Sequence, residues 1–185
     1  QGTPDNSTMN ASSVCLPGVQ SPAVGFDQPF EMLEACHERV LRSLDLLQRL
    51  IAHVDQHGCD ADARSAAADV LRYFDVAAPL HHEDEEQHLF SALGQHPDVR
   101  VRATVVTLEN DHLLMNAIWQ RLRPALQRWQ GDADNGPMTE LERTFASDFT
   151  QAYQRHIALE EGVLYPAARA LLSADDLREM GNALA

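Results

Sequence analysis

The chain has 185 residues, 44% of them hydrophobic, and a formal net charge of −14 at pH 7. This length and composition are typical of one globular domain, and no apolar run approaches the roughly 18 residues of a membrane-spanning helix. The negative charge disfavours nucleic acids and anionic membrane surfaces, so we expect neither among the partners.

The N-terminal residues and the cysteines give expectations about the N-terminal arm and about the cellular location of the protein. Residues 1–26 are rich in Ser, Thr, Asn, Pro and Gly without any periodicity, which predicts a flexible N-terminal arm. No secretory signal is recognisable at the start. The three cysteines, Cys15, Cys36 and Cys59, match no known disulfide framework. We therefore expect reduced thiols and a cytoplasmic protein.

The first predicted helix covers residues 29–56. Seven positions recur there at spacings of four and three residues, the pattern of a helix face that packs against other helices. Six of the seven are apolar and one is a histidine. They are Leu33, His37, Val40, Leu44, Leu47, Ile51 and Val54. Gly58 is expected to end this helix, and Asp60 to cap the next one.

The second predicted helix covers residues 61–93 and contains a proline. Pro79 lies two residues before His81, where it predicts either a kink that aims His81 or a break between two helical pieces. The inward face is predicted to carry Ala67, Val70, Phe74, Ala78, His81, Glu85 and Leu89.

Two further long helices are predicted at residues 98–130 and 140–171. The inward face of the former is Leu108, His112, Met115, Trp119, Leu122, Leu126 and Trp129. Thr139 and Glu142 have the spacing of a capping box at the start of the latter. Ser173 is expected to cap a short final helix that ends at Gly181.

The second half of the chain repeats the first at an offset of 75 residues. The stretch HHEDEEQHLF at 81–90 returns as HIALEEGVLY at 156–165. The same offset relates His37 to His112, which we call the seam histidines because each interrupts the apolar face, or seam, of its helix. Such a repeat predicts two copies of one helical hairpin. The short connections then predict an all-α, up-down-up-down antiparallel four-helix bundle over residues 27–172, with residues 173–185 as a short C-terminal helix and tail.

Each copy contains a histidine four residues before a glutamate, which places both side chains on one face of a helix. Counting residues from the predicted turns puts four histidines at one height in the bundle interior. A single histidine on an apolar face is more often a hydrogen-bonded core residue than a ligand. A layer of four histidines and two glutamates would be costly to bury without a cation. The candidate metal ligands are His37, His81, Glu85, His112, His156 and Glu160.

Other polar residues near these positions have weaker signals. Glu86 and Glu161 are expected either to hydrogen-bond the candidate ligands or to be structural. Glu34 and Glu109 each lie three residues before a seam histidine, and the spacing leaves open whether they bind metal. Cys36 is expected to be a buried thiol. The remaining histidines are expected to face solvent or to surround the site: His53, His57, His82, His88 and His96.

The histidines on the first and third helices, with HxxxEExxLF at 81–90 and HxxxEExxLY at 156–165, resemble the hemerythrin-like (HHE cation-binding) family. The resemblance covers about residues 27–172. It implies a non-haem di-iron centre with two iron ions, which other divalent metals can replace in recombinant protein. In that scheme His37 and His81 are terminal ligands of one iron, His112 and His156 of the other, and two glutamates bridge them. The bridging residues are Glu85 and Glu160.

The chain departs from the oxygen-carrying members of this family. Oxygen-carrying members have a further histidine one turn from the seam histidine on the third helix, where this chain has Leu108 and Asn116. They also have an aspartate where this chain has Glu160. The chain therefore resembles the four-His, two-Glu branch, in which both irons have equal sets of protein ligands.

The donor set suits a metal with open coordination positions that bind or react with O2, peroxide or NO. The alternative is a structural or signalling metal-binding module without catalysis. The sequence leaves open whether the protein is an enzyme, and whether it is a monomer or a homodimer.

Overall fold

The computed structural model describes residues 28–131 and 135–183, and all regular structure within these ranges is helical. This confirms the predicted all-α class. Helix α1 is Pro29–His57, α2 covers 61–93, α3 is Val99–Gln130, α4 covers 140–171 and α5 is Ala174–Ala183. The bounds of the four long helices differ from the predicted ones by at most one residue. The predicted arm at residues 1–26 lies outside the described residues.

The predicted helix caps are present. The Asp60 carboxylate accepts a hydrogen bond from the Ala63 amide at 2.9 Å, and Gly58 ends α1 with a φ of 77°. At the start of α4, the Glu142 amide donates to the Thr139 hydroxyl and the Thr139 amide donates to the Glu142 carboxylate, which completes the capping box. Local sequence chemistry therefore fixes where the helices begin.

The last helix departs from the prediction. Ser173 caps it as expected, but the helix continues through Gly181 to Ala183. Met180 and Gly181 are buried, and α5 packs against α1. This packing outweighs the low helix propensity of glycine.

Helix α2 stays continuous through its proline. It contains a π-helical turn at Tyr73–Ala77, where the Ala78 amide donates to the Tyr73 carbonyl five residues back. The wider turn ends two residues before Pro79 and accommodates a residue that has no amide hydrogen to donate. The predicted alternative of a break between two helical pieces is therefore wrong.

Two more π-helical turns follow the repeat. They are Glu86–Phe90 in α2 and Glu160–Leu164 in α4, and both helices continue beyond them. Each lies within the ten-residue repeat at 81–90 or 156–165, so the two halves of the chain share an irregular backbone feature as well as a sequence pattern.

The helices pack so that α2 contacts α1 and α3, while α4 contacts α3 and α1. Every residue predicted to face inward on α1, α2 and α3 is buried. The buried apolar residues form two separate clusters. The larger includes Val40, Ala78 and Met115, and the smaller includes Leu33 and Leu89.

A polar layer lies between the two clusters. Moving along α1, Leu33 belongs to the smaller cluster, His37 is polar and Val40 belongs to the larger cluster. The same change occurs along α3 from Leu108 through His112 to Met115.

None of the helices formed by residues 28–131 and 135–183 combines the length and the hydropathy of a membrane-spanning segment.

Asp75, in the first π-helical turn of α2, binds two side chains of α3. Its carboxylate accepts hydrogen bonds from the Trp119 indole at 2.9 Å and from the Arg123 guanidinium at 2.8 Å. The hydrogen bonds from Arg123 and then Trp119 outweigh the opposing effect of burial and hold the pKa of Asp75 below its usual value.

We expect Asp75→Asn to lower the free energy of unfolding by about 1 kcal/mol at neutral pH, because a charged hydrogen-bond acceptor is lost. The folded-state pKa is depressed, so this stability is present above the unfolded pKa and is lost as the pH falls through the folded one. Urea denaturation at pH 7 and at decreasing pH should show the difference from wild type narrowing in acid. Asp69→Asn, which removes only an exposed pair with Arg72 on the same helix, is the control.

Candidate metal centre

The six candidate ligands meet in the polar layer. Two seam histidines come from α1 and α3, and one His–Glu pair comes from each of α2 and α4. All are between 0% and 6% exposed, which makes them the buried polar residues of the described chain. They are His37, His81, Glu85, His112, His156 and Glu160. That these residues bind metal remains a prediction, but the convergence on which it depends is present.

One half of the layer is built around His37 and His81, and we call it site 1. The His37 Nε2 atom lies 3.0 Å from Glu160 Oε2 and 3.7 Å from Glu85 Oε1. The His81 Nε2 atom lies 3.3 Å from the same Glu85 oxygen. Site 1 therefore offers two imidazole nitrogens and one oxygen from each glutamate.

The other half is built around His112 and His156, and we call it site 2. The His156 Nε2 atom lies 3.1 Å from Glu160 Oε1, and the His112 Nε2 atom lies 3.6 Å from Glu85 Oε2. The two Nε2 atoms are 3.1 Å apart. Each glutamate thus turns one oxygen toward site 1 and the other toward site 2, the arrangement of two bridging carboxylates.

The outer nitrogens of the seam histidines are held by the second glutamate of each motif. His37 Nδ1 donates to Glu161 Oε1 at 2.9 Å, and His112 Nδ1 donates to Glu86 Oε1 at 2.7 Å. Each of these glutamates is about half exposed. Donation from Nδ1 leaves the lone pair of a neutral imidazole on Nε2, which points into the layer. This confirms the predicted hydrogen bonding of Glu86 and Glu161.

The inward atoms fit a metal ion better than they fit one another. Both oxygens of Glu160 and Oε2 of Glu85 are buried and have no hydrogen-bond partner among the described residues. Nitrogen lone pairs and carboxylate oxygens at 3.0–3.7 Å repel each other unless a cation or a proton lies between them. Two ligands each about 2.1 Å from one ion and at right angles are roughly 3 Å apart, which is close to these separations.

In the absence of metal, protons replace the cation. Burial lowers the pKa of His37, but the nearby carboxylates of Glu160 and Glu85 outweigh it and raise that pKa to about 10. Burial is likewise outweighed at His112, whose pKa is raised by the nearby Glu85 carboxylate and by the hydrogen bond to Glu86. Burial opposes ionisation of Glu85, yet the nearby histidines hold its pKa well below the usual value. Metal uptake therefore displaces protons from this layer.

Tyr165 belongs to the centre and was not predicted. Its hydroxyl donates to Glu85 Oε1 at 2.8 Å and lies 3.0 Å from His37 Nε2, and its ring stacks on His37 with centroids 5.5 Å apart. The repeat relates Tyr165 to Phe90, which stacks on His112 at 5.3 Å and has no hydroxyl. The tyrosine at a position where the other copy has phenylalanine was the signal in the sequence for the role of Tyr165.

His82 also lies against the centre. Its ring stacks on His112 with centroids 3.9 Å apart and planes 11° apart, and its Nε2 is buried without a partner in the described chain. Burial lowers the pKa of His82 to about 2, so the ring is neutral. Of the two expectations for this residue, solvent exposure is wrong and a place around the site is correct.

The other candidates are not among the buried polar residues of the layer. The Glu34 carboxylate accepts a hydrogen bond from Arg169 at 2.8 Å, and Glu109 is exposed. His53 pairs with Asp60 at the α1–α2 turn. Cys36 is only partly buried, although burial raises the pKa of its thiol. His57 is exposed, His88 is partly buried and His96 accepts a hydrogen bond from the Asp98 amide.

Comparison with known proteins agrees with this geometry. A family model described as the Hemerythrin HHE cation binding domain matches residues 28–168. An uncharacterized protein of Haemophilus influenzae is 34% identical over 157 residues, which cover 85% of this chain and 88% of that protein.

The hydrogen bonds to Nδ1 of His37 and His112 should set the orientation and basicity of both rings. We expect Glu161→Ala and Glu86→Ala each to weaken metal affinity by about 10- to 100-fold. Competition with a chelator of known affinity measures the change. Glu109→Ala, which removes an exposed carboxylate near the same level, should leave the affinity unchanged, and equal effects in all three variants would contradict this role.

Proposed function

We propose that this chain, which belongs to the hemerythrin HHE cation-binding family, is a non-haem di-iron protein that reacts with or senses O2, peroxide or NO. The observation that carries the proposal is the orientation of Glu85 and Glu160. Each is fully buried, and each directs one of its two oxygens to the histidines of site 1 and the other to the histidines of site 2. Carboxylates placed in this way suit two metal ions that share them.

The architecture in this proposal is an up-down-up-down antiparallel four-helix bundle formed by α1 to α4. The neighbour relations among these helices and the repeated hairpin support it. We assign residues 27–172 to the bundle, 1–26 to an N-terminal arm and 173–185 to the short C-terminal helix and tail. Cys36 and Cys59 are free, which supports a reducing compartment such as the cytoplasm.

The donor set favours iron but does not select it alone. Imidazole and carboxylate suit Fe²⁺, and other divalent metals compete according to supply. Four protein donors for each ion leave about two positions of an octahedron open. A pair of ferrous ions would supply two electrons to an oxidant, each ion becoming ferric.

The protein side chains have definite roles around such a pair. Glu161 and Glu86 orient His37 and His112, and the Tyr165 hydroxyl holds Glu85 by donating to its Oε1. The two apolar clusters exclude water from the layer on both sides. A purely structural or signalling site is the alternative. A pocket that reaches His112 favours a reactive site over a closed one.

Metal content tests the assignment of ligands. After reconstitution with ferrous iron, we expect about two irons per wild-type chain by elemental analysis and one or fewer in His81→Ala and His156→Ala, because each variant removes one terminal donor. His57→Ala, which removes an exposed histidine at the end of α1, should retain two. A wild-type chain without metal would overturn the proposal.

Reaction with oxygen tests the chemistry. The two sites have equal donor sets, so we expect O2 to take electrons from both metals rather than bind reversibly to one. Stopped-flow absorption of the anaerobically reduced, iron-loaded protein mixed with O2 should show conversion to an oxidised form that persists when O2 is removed. A spectrum that returns to the starting one on removal of O2 would indicate oxygen carriage instead.

A further inference from the structure

A pocket of about 230 Å³ leads from the surface to the polar layer. Its outer part is lined by exposed residues, among them Glu83, Leu113 and Asn116. Its walls include the buried side chains of Trp119 and Phe149. Cavities of this size that are mostly apolar, with a few polar groups, are typical of small-molecule sites.

The pocket reaches site 2. His112 of site 2 lines it, whereas neither His37 nor His81 of site 1 does. Tyr165 covers site 1, since its ring is fully buried and stacks on His37. This pocket therefore leads to site 2 and not to site 1.

His82 lies where the pocket meets site 2. It lines the pocket, stacks on His112, and its ring is 5.9 Å from that of His156. Ligand nitrogens of His82, His112 and His156 lie within 4.8 Å of one another. The parallel stacking of His82 on His112 does not aim both nitrogens at one ion, so His82 is better placed to contact a ligand than to hold the metal. The repeat relates His82 to Ile157, so site 1 has no equivalent group.

The charge at the pocket restricts what can enter. Glu83 and Glu86 both line it, and the chain has a net charge of −14. Carboxylates at the entrance repel anions and leave neutral molecules unaffected. The apolar walls further favour a small neutral molecule.

We propose that this pocket admits a small neutral ligand, of the class of O2, NO or hydrogen peroxide, to site 2, and that His82 contacts the ligand there. This inference rests on the proposed metal centre. It adds which of the two sites is reached, by which path and beside which residue.

The first experiment measures the pocket independently of iron chemistry. In the zinc-loaded full chain, the neutral quencher acrylamide should quench Trp119 fluorescence more strongly than iodide does, because iodide is repelled at the entrance. Trp129 is fully buried and does not line the pocket, so Trp119→Phe should abolish most of the acrylamide effect. Equal quenching by both agents, or quenching that survives Trp119→Phe, would overturn the proposed path.

The second experiment measures access to the metal. We expect Asn116→Phe to slow association of NO with the ferrous-loaded protein by about tenfold or more, by narrowing the entrance. Asn110→Phe, a matched change at an exposed position of the same helix outside the pocket, should have no effect.

Variants of His82 test the contact itself. His82→Phe keeps an aromatic ring on His112 but removes both nitrogens, and should weaken NO binding by about tenfold with iron content unchanged. His82→Gln, which restores a donor, should recover part of the affinity, and His88→Phe is the control. If iron content falls in His82→Phe, or if NO binding is unchanged in every pocket variant, this inference fails. If wild-type chain takes up no iron, the proposed function fails.

Discussion

Two carboxylates with no exposed surface, those of Glu85 and Glu160, constrain the rest of the structure. They lie between two apolar clusters, where an uncompensated negative charge would be too costly for a small domain. Four histidines surround them with their Nε2 atoms directed toward the carboxylates, and a histidine neutralises the charge only when it is protonated. A cation, or protons in its absence, is therefore required for the helices to pack as they do.

The backbone around these glutamates is irregular in both halves of the chain. A π-helical turn begins directly after Glu85 and at Glu160 itself. Adjacent glutamates then serve different purposes: the first of each pair points into the layer, and the second reaches a histidine on a neighbouring helix. Such turns are found frequently at functional sites, where the loss of regular hydrogen bonding is offset by what the site gains.

The helices and the convergence of the six candidate ligands could be predicted because they depend on periodicity, capping and counting. His37 and His112 interrupt an apolar face, and the repeat shows that the interruption is shared. For His82 the choice between solvent and a place around the site could not be made, since it lies about 100° around the helix from His81 and its exposure depends on the packing of neighbouring helices. The hydrogen bond of Tyr165 depends on a rotamer, and the continuation of α5 through Gly181 depends on packing against α1. Neither is encoded in local pattern.

The division of the core into two clusters has a consequence for cooperativity. A small domain usually unfolds as one unit because every part of its core contacts the next. Here the smaller cluster, which includes Leu33, Leu164 and Met180, is separated from the larger one by the polar layer. The six polar side chains are thus the coupling between two halves of the core. An ion bound by all four long helices would make them unfold together, and its loss would let the smaller end open as a separate unit.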